Sequence, residues 1–566
     1  MTLVTQGVTL GVTEPRTLPQ ALAEAARGRE GYTFLDGRAE RRRSYAEIYQ
    51  ASRRRAAEYR VMGLGPGDVV ALIVSDAEEF LTALFAVSLA GAVPAALYPP
   101  ASAADLAHYL DSTLLILRSA RARAVVTSRA IADAVEARRT TCPDLELVVS
   151  VADREADPAG SAPHTSELSV EAHSAKAEDV AFVQFTSGST SRPKGVAITH
   201  RSLAANIDAI NGPGGLATTA SDSAVSWLPL YHDMGLVGMA LGAMYSGRPA
   251  VLMTPATFVK RPVEWLRAIS RQRATVSFAP NFGYDLCVRR VKESEMEGLD
   301  LSCWRVAGCG AEPIHAATLA AFADRFRHVG FRETSFLPSY GLAEHVLAAT
   351  FAPRGRWVRT EPRSGVDLVS CGSPLPGHQL RIVAEDGGDL PERAIGEIAL
   401  SGPSVMLGYW GDAPATEGVL RNGWLLTGDL GYVAEGELFV CGRSKDTIVV
   451  NARKHYAQDL EWAVADTSGL RRGRAVAFGA SRAGQADRVV IVVEASGAVA
   501  ADHLAQAIRL RVSEVCGLFV DDVVLVPSGT ITRTTSGKVQ RAALRARYEE
   551  GTLAKLEVKS EKCEGR

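Results

Sequence analysis

The chain has little of what marks several large protein classes. Its 62 Lys and Arg residues face 64 Asp and Glu, a formal net charge of −2, and no dense basic tract is interleaved with aromatics. That leaves no electrostatic footprint for nucleic acid. Eight cysteines are scattered without a single CxxC pair or a histidine at zinc-ligand spacing, which excludes a disulfide framework or a zinc module as the organising element. Reduced thiols and a cytoplasmic location are expected. Residues 1–16 lack a basic start followed by an apolar core, so no secretory leader is expected. Phe80–Pro100 is uncharged and approaches the length of a membrane span, but Gly91, Pro94, Pro99 and Pro100 interrupt it. A buried helix running into a buried strand is expected instead, and no transmembrane segment.

What is present is globular. With 566 residues, 47% hydrophobic and 22% charged, the chain is too long for one core, and two or more domains are expected. From Ser44 to about Val440, apolar runs such as Val69–Val74, Ala124–Val126, Leu147–Val149, Ala181–Val183, Ala250–Met253 and Ala274–Phe278 alternate with helical patterns. This is the pattern of layered α/β structure with parallel sheets. Gly-rich turns and short runs between Ser370 and Val440 predict a smaller, β-rich subdomain. After Gly442-Arg443 the pattern restarts, with strand-like runs at 447–450, 475–478, 489–493 and 523–526 and a helical stretch at 501–512. The expected division is 1–442, 443–548, and a charged, frayed tail at 549–566. The Arg cluster at 41–43 and 53–55 reads as a solvated face.

The most informative stretch is Phe185-Thr-Ser-Gly-Ser-Thr-Ser-Arg-Pro-Lys-Gly195. Val180–Phe185 reads as a strand and Thr199 as a helix N-cap, so the loop is expected at a strand–loop–helix junction. There, backbone N–H groups and the hydroxyls of Thr186, Ser187, Ser189 and Thr190 face an anion. It is not the common nucleoside-triphosphatase loop, because Lys194 lies between Pro193 and Gly195. Alone, such a stretch also reads as a linker.

Further segments follow in order: Trp227-Leu-Pro-Leu-Tyr-His-Asp-Met-Gly235, Gly310-Ala-Glu-Pro313, Ser339-Tyr-Gly-Leu-Ala-Glu344, Leu426-Thr-Gly-Asp429, Gly442-Arg-Ser-Lys-Asp446 and Thr535-Ser-Gly-Lys538. Together with the loop they closely resemble the adenylate-forming superfamily of acyl-CoA synthetases, luciferases and peptide-synthetase adenylation domains. Tyr231–Leu236 and Pro280–Arg290 are most similar to the fatty acyl-AMP ligases, and the resemblance covers about residues 18–548. It implies a large N-terminal domain, a small mobile α+β C-terminal domain, and ATP and Mg²⁺ as cofactors. The implied activity turns a medium- or long-chain fatty acid into its adenylate, with transfer to the phosphopantetheine thiol of a separate acyl carrier protein. An acyl-CoA ligase shares the first step. The same scaffold would also suit a non-catalytic acyl or nucleotide sensor, or an amino-acid adenylating enzyme.

Residue by residue, the resemblance implies a catalytic ammonium at Lys538 and phosphate binding by Thr186, Ser187, Gly188, Ser189, Thr190 and Lys194. Glu344 would ligate the metal together with Thr190. Tyr340 and Gly341 would lie against adenine, opposite Gly310, Ala311 and Glu312. Asp429 would read the ribose hydroxyls with Arg443 beside it. His232 would sit where the acyl chain meets the nucleotide, and Phe278, Asn281 and Tyr284 would line an apolar acyl pocket. Lys445 would be the hinge. Four departures stand out: Ser191 in place of a Gly, Ala452, Lys454 and Ala457 in the loop expected to meet pantetheine, a short 345–370 connection, and Cys309 where Asn is more usual. They bear on the choice of acceptor more than on adenylation.

Overall fold

The computed structural model describes residues 5–7, 14–37, 39–100, 106–151, 174–186, 193–363, 366–450, 453–465, 467, 474–480, 488–495, 501–533 and 539–556. Two large sheets share one core. The seven-stranded sheet runs, edge to edge, through Gly408–Tyr409, Lys194–Thr199, Val180–Thr186, Val93–Ala96, Val69–Ile73, Ala122–Thr127 and Leu147–Ser150. The nine-stranded sheet centres on the parallel strands Phe336–Gly341, Val306–Cys309, Val276–Ala279, Ala224–Ser226, Ala250–Met253 and Gly31–Asp36. Val69–Ile73 is buried at every position, as expected for a strand covered on both faces.

The uncharged stretch resolves as expected into the buried helix Ala77–Ala90, stopped by Gly91 at φ +89°, and the strand Val93–Ala96. Among the described residues no helix is long and apolar enough to cross a membrane. The β-rich segment forms an antiparallel sheet of Gln379–Val383, Gly396–Ser401, Trp424–Ala434 and Glu437–Arg443, with Thr5–Gln6 on one edge.

The small C-terminal unit has its own cores on the two faces of a sheet made of Ala475–Ala480, Arg488–Glu494 and Asp522–Val526. Helices Ala457–Val464, Ala501–Cys516 and Arg541–Glu549 pack on it. Trp462 reaches back to a cluster of Leu368, Tyr432, Phe439 and Cys441. Leu368 belongs to the antiparallel hairpin Thr360–Arg363/Val366–Val369, so the short 345–370 connection ends against the small unit.

Three expectations are corrected. The 187–192 loop does not lead into a helix: Lys194–Thr199 is a strand paired antiparallel with Val180–Thr186, with Thr186 opposite Lys194. Val196 and Ile198 are fully buried in the core, and that burial outweighs the helix-start signal until Thr199, whose hydroxyl caps the helix His200–Asn211. The helix N-terminus is thus a strand of about 20 Å away from the loop and adds no dipole there. The Arg cluster is not simply a solvated face either. Arg41 and Arg43 lie on the edge strand Ala39–Ser44 and hold Glu78 at 3.3 and 2.8 Å, while Arg55 holds Glu79 at 2.8 Å. Glu78 is 4% exposed, so these cations neutralise a buried carboxylate. Finally, the tail is docked beyond 549: Leu553 is buried and Leu556 N–H donates to Leu525 O at 2.9 Å, because these two apolar residues complete the small unit's cores.

Candidate active site

Two tyrosines organise the expected nucleotide residues. Tyr340, near the end of the strand Phe336–Gly341, donates its hydroxyl to Asp429 Oδ2 at 2.9 Å. Asp429 lies on Trp424–Ala434, and its Oδ1 forms an ion pair with Arg443, 2.8 Å from Nε, across the antiparallel pair. Each carboxylate oxygen keeps a second lone pair, enough for two hydroxyl donors. Asp429 holds Arg443 above its usual range, and burial followed by the Asp429 charge pushes the Tyr340 phenol well up. Gly428 precedes Asp429 at φ +71°, a turn that favours glycine.

Tyr409 makes the second junction. Its hydroxyl donates to Glu344 Oε1 at 2.9 Å, and its ring carries Lys194 Nζ 4.5 Å from the centroid. The edge pairing of Gly408–Tyr409 with Ala197 and Val196 brings these three residues together. Nothing in the sequence singles out Tyr409. Its partners lie 65 residues and more away in the chain, and only the sheet register unites them.

Tyr340, Gly341, Ala311, Glu312, Asp429, Arg443 and Lys445 line one cavity of about 1160 Å³, whose far wall belongs to the small unit. Ala311 stands there at φ +67°, a left-handed conformation that is costly for an alanine and typical of functional walls. Gly310 is required by close approach, since a Cβ would come within 2.6 Å of Ser339 Oγ. Glu312 accepts from Phe282 N–H at 2.6 Å and so satisfies the start of the helix Asn281–Arg290. Lys445 lies in the turn Ser444–Asp446, and burial together with Arg443 lowers its ammonium's pKa. Thr186 ends its strand, its hydroxyl 3.4 Å from Lys194 O. Ser187, Gly188, Ser189, Thr190, Ser191, Ala452 and Lys538 lie outside the described residues.

Of the three residues expected to line an acyl pocket, Phe278 and Tyr284 lie outside that cavity. Tyr284 is a core residue: it is fully buried, donates to Gly308 O at 2.7 Å and packs edge-on against Phe322 and Phe336. The apolar environment that suggested a pocket wall is the core itself. Phe278 fills the space over Gly308, where a Cβ would sit 2.0 Å from its ring. Asn281 does line the cavity, while its Oδ1 accepts from His315 N–H at 3.0 Å. His232 lies outside it, half-buried beside Tyr231, one residue ahead of Asp233, which caps the π-helix Met234–Leu241. Cys309 is fully buried, and burial pushes its thiol well up. Ala457 is buried at the start of its helix.

Comparison with known proteins fits this geometry. The profile of the AMP-binding enzyme family matches residues 22–410, and that of the Disco-interacting protein 2-like AMP domain matches residues 445–558. A protein of Caulobacter vibrioides, provisionally named an acyl-CoA synthetase, is 35% identical over 95% of this chain and 96% of its own. The medium-chain-fatty-acid–[acyl-carrier-protein] ligase JamA of Moorena producens is 32% identical over 94% of each chain. A solved structure from a study of fatty acyl-adenylate ligases of E. coli and L. pneumophila superposes with a TM-score of 0.87 at 36% identity, covering 95% of this chain and 98% of that one. Family and fold agree: the chain belongs to the AMP-binding family of ATP-using, adenylate-forming enzymes, on its fatty acyl-AMP ligase branch.

Proposed function

We propose that this enzyme activates a medium- or long-chain fatty acid as its acyl-adenylate, releasing pyrophosphate, and then passes the acyl group to the phosphopantetheine thiol of an acyl carrier protein in the cytoplasm. The observation that carries the reading is the Tyr340–Asp429–Arg443 arrangement on a cavity that the small unit closes. A division at 442/443 then places Arg443 and the hinge Lys445 at the start of the moving part.

A fatty acid is already ionised at neutral pH, so the first step needs no general base. Two anions must instead be brought together in line, which calls for positioning and positive charge. Tyr340 stacks on adenine and Asp429 accepts the ribose hydroxyls, which fixes the nucleotide. Lys194, held over Tyr409, faces the phosphates with the 187–192 loop. Lys538 bridges the attacking carboxylate and the α-phosphate. Glu344 fits a Mg²⁺ ligand, because Tyr409 orients one oxygen and the other has no partner among the described residues. Among those residues no group of three or more His, Cys, Asp or Glu side chains could hold a metal alone, which suits an ion that keeps phosphate and water ligands. Bound there, Mg²⁺ supplies charge neutralisation on the phosphate oxygens.

The second reading, transfer to free CoA, is favoured by the Caulobacter relative's name and by Ala452, Lys454 and Ala457. One experiment separates the readings: acyl-adenylate is trapped with hydroxylamine over a panel of acids that includes amino acids, then CoA or holo-carrier protein is offered. Hydroxamate with fatty acids and loading of the carrier alone is expected. Release of free acyl-CoA selects the second reading, and no hydroxamate with any acid rejects both. Lys538→Ala is expected to lose about two to three decades in rate with ATP binding retained.

A further inference from the structure

Behind the turn that carries Glu344 lies a polar cluster closed to solvent. Asn206, His345 and Ser404 are each 0% exposed and His378 is 2% exposed. Asn206 comes from the helix that follows the phosphate-loop hairpin. Its Nδ2 donates to Ala348 O at 2.8 Å and to Ser404 Oγ at 3.0 Å, and its Oδ1 accepts from Ala348 N–H at 3.2 Å. One side chain therefore holds both backbone groups of Ala348.

The proton directions fix a single arrangement. His378 Nδ1 lies 2.9 Å from Pro376 O, which only accepts, so Nδ1 carries the proton. Its Nε2 then accepts from Ser404 Oγ at 2.6 Å. Ser404 has spent its hydrogen, and it accepts from Asn206. The amide must point its nitrogen at Ser404 and Ala348 O and its oxygen at Ala348 N–H. Both N–H donors and the carbonyl oxygen of Asn206 are thereby engaged.

What this clamp restrains is strained. Val346 lies at φ +63° and ψ −59°, and Leu347 N–H donates to His345 O at 2.7 Å. That is a γ-turn of the rare hand, and a β-branched residue at positive φ is strained there. Such a turn persists only when its surroundings over-determine it. Asn206 fixes its exit at Ala348, and Met406 N–H fixes its entry by donating to Glu344 O at 2.9 Å.

We infer that Asn206 is a positioning residue for Glu344: by clamping both backbone groups of Ala348 it maintains the strained turn at Val346, and so aims the Glu344 carboxylate at the nucleotide-bound cation. It touches neither substrate nor metal. The inference rests on the reading of Glu344 given above.

The test uses full-length wild type, Asn206→Leu, Glu344→Gln and the double variant. ATP–pyrophosphate exchange is titrated with Mg²⁺ at saturating ATP, and amide exchange at Leu347 and Ala348 is followed by mass spectrometry without ligands. For Asn206→Leu the Mg²⁺ requirement is expected to rise about 10-fold or more, the usual scale for losing a residue that orients a metal ligand. The two amides are expected to exchange faster, and the double variant to be no worse than Glu344→Gln alone. If Asn206→Leu does not fold, Ser404→Ala, which removes only the outer link, is expected to show a smaller shift of the same kind. An unchanged Mg²⁺ titration in the Asn206 or Ser404 variant, or losses that multiply with Glu344→Gln, overturns the positioning role. A Glu344→Gln enzyme with a normal Mg²⁺ titration instead overturns the metal reading of Glu344, and the positioning role falls with it.

Discussion

Arg541 Nη1 donates to Asp446 Oδ2 at 2.6 Å, joining the first residue of the last helix to the neighbour of the expected hinge residue, Lys445. The same guanidinium donates to Glu461 Oε1 at 2.6 Å and Ala477 O at 2.9 Å, and it is 16% exposed. Burial alone would lower its pKa, yet the two carboxylates hold it above its usual value. Arg541→Ala leaves both acids facing an emptied site and is expected to destabilise the small unit by about 3 kcal/mol. Faster amide exchange in the strand Ala475–Ala480 would register the loss; unchanged exchange there would show the cluster to be dispensable.

The Tyr340–Asp429 contact predicts a graded effect on ATP. Tyr340→Phe keeps the ring and removes one neutral donor, about 1 kcal/mol, so KM for ATP is expected to rise about 5-fold. Asp429→Asn removes the charge that faces Arg443 and is expected to cost about 1.5–3 kcal/mol, or roughly 10- to 100-fold in KM. Steady-state kinetics at saturating fatty acid measure both. Equal KM values in the three enzymes would separate Asp429 from nucleotide binding.

Tyr409 has two separable jobs. Tyr409→Phe keeps the ring under Lys194 and withdraws the hydroxyl from Glu344, at about 1 kcal/mol. Tyr409→Leu also removes the ring face, worth about 0.5–1 kcal/mol more. ATP–pyrophosphate exchange is therefore expected to fall in the order wild type, Phe, Leu. A Leu variant as active as the Phe variant would mean that the ring contact with Lys194 contributes nothing.

Asp459 gives a pH signature. Burial pushes its carboxyl up to about 6, against a weaker pull from Arg363. With the folded value above the unfolded one, folding takes up a proton between about pH 4 and 6, and stability falls as pH rises through that window. The penalty is complete above about pH 6 and amounts to at most about 3 kcal/mol. Asp459→Asn is expected to raise the melting temperature at about pH 8, with the gain shrinking as pH falls toward about 5. A gain that does not depend on pH would assign the effect to packing.

Local signals read well where chemistry and pattern coincide. Gly428-Asp429 and Ser339-Tyr340 stand out through the resemblance of their motifs to the family, since a Gly-Asp turn or a strand-end tyrosine alone is unremarkable. Tyr284 cannot be placed from its neighbours, because an aromatic residue in an apolar run looks the same in a pocket wall and in a core. Asn206 and Tyr409 are silent for a different reason: each acts through residues far along the chain, and neither sits in a motif that spacing alone makes conspicuous.

The sequence by itself determined the α/β class, since hydrophobic period is a local quantity, and the resemblance of its ordered motifs supplied the candidate nucleotide residues. Only the tertiary structure decided that Lys194–Thr199 pairs back as a strand on Val180–Thr186, that Arg43 neutralises Glu78, and that Asn206 stands behind Glu344. Those outcomes depend on which buried surfaces meet. Burying Val196 and Ile198 in a shared core, or a carboxylate beneath an edge strand, is settled by free energy summed over the whole fold.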